Sequence, residues 1–244
     1  MIGSTIVHLD SVDSTNNYAA KALLTKSLNE GTVFVAACQE AGRGQANSSW
    51  ESDAGLNLTF SIVLYPAQVE IARQFSLSQA ISLGVADFLD QFVGGVAIKW
   101  PNDIYVSDKK IAGILIETAI SGGKFSNAIV GIGLNVNQEK FVSDAPNPVS
   151  LRNLTGENYD LTRMLNLLCY ALDKRYHSLI TGNQNSIRSD YEQLLFKKGI
   201  WARYKDEVSD FDGMIAGVEL DGKLVIETRS GNTRGYYFKE VAFV

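Results

Sequence analysis

The sequence predicts an α+β protein: a mixed β-sheet with flanking helices, followed by a small C-terminal β-barrel. Three observations lead there. A β-rich run at residues 5–9 precedes a helical run and then a continuous β-branched and apolar run at residues 32–39, which reads as strand, helix, strand. Four strand-like runs lie between Val96 and Leu134, with Gly122-Gly123 as a glycine-rich hairpin turn. After Gly199 the texture changes to short β-rich pieces punctuated by Asp212-Gly213, Asp221-Gly222 and Gly231-Asn232, which predicts a barrel of roughly 45 residues.

Taken in order, Asp10-Ser-Val-Asp-Ser-Thr15 supplies N-cap side chains before a helix over residues 16–26, rich in Ala, Leu and Lys. Residues 57–64 read as a second strand covered on both faces. Between the two buried strands, residues 40–55 show no period of either kind. Loops longer than about 12 to 15 residues are uncommon unless functional. Apolar residues at helical spacing predict one long helix over residues 71–92, packed on the sheet. Strands over 96–100, 104–106, 111–120 and 125–134 form a β-meander. Residues 138–156 read as irregular, with Pro146 and Pro148, before helices over 161–179 and 187–195. This divides the chain into a core over residues 1–196 and an appendage over residues 197–244.

Composition narrows the function classes. The chain of 244 residues has 45% hydrophobic and 20% charged residues, ordinary for a globular protein, and a formal net charge of −5. An acidic balance argues against a surface built to hold phosphodiester backbone. Cys38 and Cys169 sit in apolar runs far apart, as core thiols do. His8 and His177 stand apart from any metal-ligand spacing and read as structural. No window approaches the roughly 20 apolar residues of a membrane span, and no charged leader opens the chain, so the expectation is a cytoplasmic protein with no membrane partner.

Four polar segments stand at strand ends. The richest is Lys99-Trp-Pro-Asn-Asp103, followed by Lys110-Ile-Ala-Gly-Ile-Leu-Ile-Glu117. A lysine is a compact point charge with three donors, and at the lip of a buried sheet it suits a phosphate or carboxylate. Asn102 and Asp103 have the chemistry to hold a hydrated Mg2+ ion, and equally that of a turn after proline. Gly42-Arg43-Gly44 offers backbone N–H groups that could approach a phosphate, or a plain surface turn. Ser14 and Thr15 suit helix capping as well as ligand binding. Gly131 and Gly133 fit a bulge or close strand packing. No nucleophile setting, no Cys/His metal spacing and no Gly-x-x-x-x-Gly-Lys-Ser/Thr run is present. Two lysines, an arginine and glycine amides are the tools of phosphoryl or nucleotidyl transfer, which depends on positioning and charge stabilisation.

Gly-Arg-Gly with Trp50 and Asn57-Leu58, then Lys-Trp-Pro-Asn-Asp, Lys-Ile-Ala-Gly-Ile-Leu-Ile-Glu and Gly131-Ile-Gly-Leu-Asn-Val-Asn137, in that order, resemble the biotin protein ligase family. The resemblance covers about residues 5–244. It implies a biotin-lipoate ligase-like core of the class II synthetase type with an SH3-like C-terminal domain. The implied reaction joins biotin and MgATP into biotinyl-5′-AMP, then passes biotin to a lysine of a biotin carboxyl carrier protein domain. By motif, Ser14, Thr15, Asn16, Gln39, Gly42 and Arg43 match the biotin site, with Gly113 and Gly131 lining it. Lys110 matches the lysine between the biotin carboxylate and the α-phosphate; with Lys99 and Arg43 it forms the implied catalytic set. Gly44, Gln45, Trp50, Asn102 and Asn135 match the nucleotide side, Trp50 and Asn135 as adenine contacts, and Asp103 matches a Mg2+ ligand.

The chain departs from the family in its loop, where Gln45, Asn47 and Ser48 replace the second arginine, third glycine and third arginine of Gly-Arg-Gly-Arg-x-Gly-Arg-x-Trp. Other groups are expected to replace those cations in retaining the adenylate. The chain starts near the first core strand, without the helix-turn-helix extension of repressor-type members. With the acidic charge, this predicts no operator binding in a low-salt gel shift. A monomer or weak homodimer is expected. Two other readings stand beside this one: a lipoate ligase using the same adenylation chemistry, and a catalytically silent module that binds carrier domains. Gln39-x-x-Gly-Arg-Gly and Lys-Trp-Pro-Asn-Asp favour biotin, and two retained lysines argue against silence.

Overall fold

A computed structural model describes residues 1–45, 48–142 and 147–244; Asn47 and Pro146 lie outside the described residues. In chain order the elements are β1 (Ile6–Val12), α1 (Thr15–Thr25), β2 (Thr32–Gln39), β3 (Leu58–Leu64), α2 (Phe75–Leu89), β4 (Val96–Lys99), β5 (Asp103–Val106), β6 (Lys109–Ser121), β7 (Lys124–Leu134), α3 (Leu151–Thr155), α4 (Leu161–Ile180) and α5 (Gln184–Gln193). Then come β8 (Trp201–Asp206), β9 (Asp210–Val218), β10 (Leu224–Thr228), β11 (Thr233–Tyr236) and β12 (Val241–Phe243). The first seven strands form one sheet in the order β1-β2-β3-β7-β6-β5-β4. Only β1 and β2 run parallel, joined by the α1 crossover, so the sheet is mixed as predicted.

The β-branched and apolar run of β3 is buried at all seven positions because β3 is central and both of its faces are covered. On one face Phe60, Ile62, Ile114, Val130 and Ile132 pack with residues of α2 and α4 in the main core. On the other, Phe34, Val63 and Ile129 pack with Ala19 and Tyr18 of α1. Strand side chains alternate between faces. Gly131 and Gly133 therefore share the face of Ile129, beyond the apolar residues that pack with α1. The two positive-φ glycines of the β6–β7 hairpin, Gly122 and Gly123, form the turn the sequence predicts.

Three expectations are corrected. The long helix over 71–92 is a 3-10 turn, Ile71–Arg73, followed by the 15-residue α2. Helical spacing continued past both ends because Ile71 and Phe92 still pack on the core after the backbone has left the helix. The irregular stretch 138–156 contains the short α3, opened by a capping box between Ser150 and Asn153 and closed by Gly156 in the left-handed region. Asp212-Gly213 is not a turn but part of β9. A Cβ at Gly213 would lie 2.4 Å from Ile226 Cγ2, so glycine there serves strand packing. The chain reverses instead after Asp206, whose carboxylate accepts from the N–H groups of Val208 and Ser209 at 2.9 Å each.

Strands β8–β12 form a second, antiparallel sheet in the order β11-β10-β9-β8-β12, an open ladder consistent with an SH3-like domain rather than a closed barrel. Its core residues Tyr204, Ile215, Leu224 and Ile226 are continuous with the main core. No helix among the described residues is long and apolar enough to cross a membrane.

Candidate active site

Sheet register assembles the site. Thr59 pairs with Gly133, Gly133 with Gly113, Gly113 with Asp103, and Asp103 with Lys99, a single row across five strands. Directly paired residues share a face, so residues separated by up to 74 positions in sequence meet on the face opposite α2 and α4. A second row, Ser61–Gly131–Leu115, lies beside it.

Lys110 joins this face through a bulge. Three residues before Gly113, it would point to the opposite face of a regular strand. The β5–β6 register shifts between Ile104 and Tyr105, so that Ile111 and Ala112 both enter the main core. Bulges re-aim side chains in this way. The Lys110 ammonium ends 2.8 Å from the Asp103 carboxylate, with the two side chains 21% and 23% exposed. Lys99 lies at the end of the row, its ammonium 3.2 Å from the Tyr105 hydroxyl and 4.9 Å from the ring centroid of Phe243. Burial pushes the Lys99 ammonium below the usual lysine range, partly opposed by Asp103. The Tyr105 hydroxyl is pushed up to about 12, chiefly by burial. Asn102 clasps β6: its amide donates to the Ile114 carbonyl at 2.6 Å and its own carbonyl accepts from Ile114 N–H at 3.0 Å.

The 40–55 loop folds back over the glycine rows. A Cβ on Gly133 would lie 2.2 Å from Trp50 Cε2 and one on Gly113 2.9 Å from Cζ3, so the two glycines form a flat seat for the indole. The Lys110 ammonium is 5.6 Å from a Trp50 ring centroid. Two residues matched to the nucleotide side make contacts within the protein. The Gly44 N–H, expected to face a phosphate, donates instead to the Ser48 carbonyl at 2.7 Å, which closes the loop on itself. Asn135 is buried at 3% exposure, its amide donating to the Val149 carbonyl at 3.1 Å, and it does not line the cavity. It sits one residue beyond the end of β7, where the chain turns under the sheet.

At the other end, a polar cluster lies under α1. Ser14 occupies the N-cap position without making a cap hydrogen bond, so the capping reading for its side chain fails. The Gln39 carbonyl accepts from Thr15 N–H at 2.8 Å and from the Thr15 hydroxyl at 3.1 Å, which leaves its NH2 as the unengaged end. The Ser61 hydroxyl lies 2.7 Å from Thr15 Oγ1 and 2.6 Å from Asn16 Oδ1. Gly131 makes room for Asn16, since a Cβ there would meet Asn16 Oδ1 at 2.3 Å. Asn16 and Arg43 each donate to Glu117 Oε2 at 2.7 Å.

These groups enclose a cavity of about 250 Å3. Of the sequence-predicted residues, Ser14, Thr15, Asn16, Gln39, Arg43, Gly44, Gln45, Trp50, Lys99, Asn102, Asp103, Lys110, Gly113 and Gly131 line it, while Gly42 stands behind the loop against the Trp50 carbonyl. Among the described residues Asp103 is the sole carboxylate in the lining, and no group of three or more His, Cys, Asp or Glu capable of holding a metal exists.

With this geometry in place, comparison with known proteins is decisive. The profile of the Biotin/lipoate A/B protein ligase family matches residues 9–135, the span that carries both rows and the cluster under α1. The chain belongs to this family. The bifunctional ligase/repressor BirA of Bacillus subtilis is 29% identical over 242 residues, 97% of this chain and 73% of that protein. The biotin–[acetyl-CoA-carboxylase] ligase of Paracoccus denitrificans is 30% identical over 230 residues, 91% of this chain and 94% of that protein. Among solved structures, the biotin protein ligase from Aquifex aeolicus in complex with biotin and ATP superposes with a TM-score of 0.82 at 26% identity, covering 99% of both chains.

Sequence reasoning missed four contributors. Ser61 is a single serine in an apolar strand, and nothing marks it until register places it opposite Gly131. Phe238, Val241 and Phe243 come from the C-terminal sheet, which was expected to stand apart, yet they close one end of the cavity. The Trp100 indole N–H donates to the Gly222 carbonyl at 2.9 Å and fixes that contact.

Proposed function

We propose that this chain is a biotin–protein ligase. It joins biotin and MgATP into biotinyl-5′-AMP and pyrophosphate, then transfers biotin to a lysine of a biotin carboxyl carrier protein domain. The observation that carries this reading is the Lys99–Asp103–Gly113–Gly133 row with Lys110 beside it, continuous with the Thr15–Gln39–Ser61–Asn16 cluster. One end offers cations for phosphates and a carboxylate; the other offers oriented polar groups for a neutral ring.

In the first step a carboxylate oxygen of biotin bonds to the α-phosphorus while the bond to the bridging oxygen breaks and pyrophosphate leaves. Two anions must approach each other, and the Lys110 ammonium, held by Asp103 at the junction, offsets that repulsion. Lys99 serves the nucleotide end, Trp50 offers an aromatic face to the base, and Gln45 lies along the same wall. Ser14, Thr15, Asn16 and the Gln39 amide hold the ureido ring, with the loop at Arg43 beside them. A single lining carboxylate suits Mg2+, which binds few protein carboxylates and takes most of its other ligands from phosphate and water. Asp103 would hold it, and the ion would neutralise phosphate charge. In the second step the neutral amine of the carrier lysine bonds to the acyl carbon, AMP leaves with the electron pair, and the amine proton goes to solvent. The core through residue 196 would carry both steps, with residues 197–244 closing the cavity.

ATP–pyrophosphate exchange with biotin against lipoate tests the acid. Biotin-dependent exchange and labelled-biotin transfer to a carrier are the expected results. Exchange with lipoate alone overturns the choice of acid, and carrier binding with no exchange overturns catalysis.

A further inference from the structure

Glu117 has no role in the reaction as described, yet one of its oxygens is where two walls of the cavity meet. Oε2 accepts from the Asn16 amide at 2.7 Å and from the Arg43 guanidinium at 2.7 Å, donors 101 and 74 residues away along the chain. Asn16 belongs to α1 and occupies the space left by Gly131. Arg43 belongs to the loop and pairs through its backbone with Ser49. Glu117 lies two residues beyond Leu115 on β6, on the site face, with its backbone paired to Ile129 of β7.

The Arg43 and Glu117 side chains are each 41% exposed. An ion pair with that much solvent access adds little to fold stability, so its consequence is orientation. Arginine is long and rotamer-rich, and a fixed carboxylate is what restricts it. We infer that Glu117 is a positioning residue that holds Arg43 and Asn16 together against the biotin end of the cavity and so slows escape of the adenylate. The inference rests on the ligase reading above.

The test is Glu117→Gln in the full chain, which keeps the size and an acceptor for Asn16 but removes the charge facing Arg43. With biotin and MgATP bound and converted, the readout is the rate of biotinyl-5′-AMP release. Release should quicken by about two- to fivefold, the range an exposed ion pair supports, while exchange kcat and Tm hold near the parent values. High salt should quicken release from the parent and leave the variant unchanged. In an Arg43→Ala background, Glu117→Gln should add nothing, whereas a merely structural role would give additive losses. Unchanged release in Glu117→Gln, or additive effects in the double variant, overturns the inference. Absence of biotin-dependent exchange in the parent removes the ligase reading and this inference with it; exchange with unaltered release removes the inference alone.

Discussion

Lys110 and Asp103 face each other at 2.8 Å across the β5–β6 bulge, each side chain about one-fifth exposed. The pair is buried enough to be held in place and open enough to meet a ligand. Removing the lysine takes away the one cation at the junction and leaves Asp103 to repel incoming anions. Lys110→Ala should lower biotin-dependent exchange and carrier biotinylation by about 10²–10³, the loss typical for an aimed donor. Lys110→Arg should recover only part, because a planar fork does not replace a compact ammonium. Unchanged transfer in Lys110→Ala would sink the assignment.

Gly133→Ala should unseat Trp50. The added Cβ would lie 2.2 Å from the indole, and the backbone on either side is fixed in a paired strand. The expected result is a KM for ATP raised by about tenfold or more with a smaller change for biotin, accompanied by a change in tryptophan fluorescence. An unchanged KM for ATP would mean that the indole seat is not part of the nucleotide site.

Ser61→Ala removes a fully buried hydroxyl from Thr15 and Asn16. Leaving buried partners short costs about 1–3 kcal/mol. Denaturant unfolding should show that loss, and the KM for biotin should rise while the KM for ATP stays near its parent value. A variant affected equally toward both substrates would argue for a general packing role.

Lys99 gives a pH signature. Burial holds its pKa below the ordinary lysine value of 10.5, so between the folded value and 10.5 the unfolded chain binds the extra proton. Stability therefore gains from raising pH through that window, and the ammonium is a net cost below it. Lys99→Met should be more stable than the parent at neutral pH, with the advantage shrinking as pH approaches 10.5. Thermal melts of both proteins across that range check it; an advantage independent of pH would contradict it. The same variant should lose exchange activity.

Most of the fold was legible because strand and helix periods are local. β2 matched its apolar run residue for residue, and β4–β7 emerged as the expected meander. Two of the failures share one cause, a local signal shared by two structures. Asp212-Gly213 has turn chemistry, yet Ile226 across the sheet requires a glycine in a strand. Ile71 and Phe92 keep helical spacing because they face the core, whatever their backbone does.

The sequence by itself determined which chemistry is present: two lysines, a carboxylate, an arginine loop and paired glycines, in an order that points to one family. Tertiary structure alone decided how they combine. A bulge at Ile111 turns Lys110 toward Asp103, cross-strand register sets Ser61 against Gly131, and the C-terminal sheet brings Phe243 to Lys99. Each is a relation between residues far apart in the chain, fixed by strand pairing and packing. No window of sequence contains both partners, so only the folded sheet could put them together.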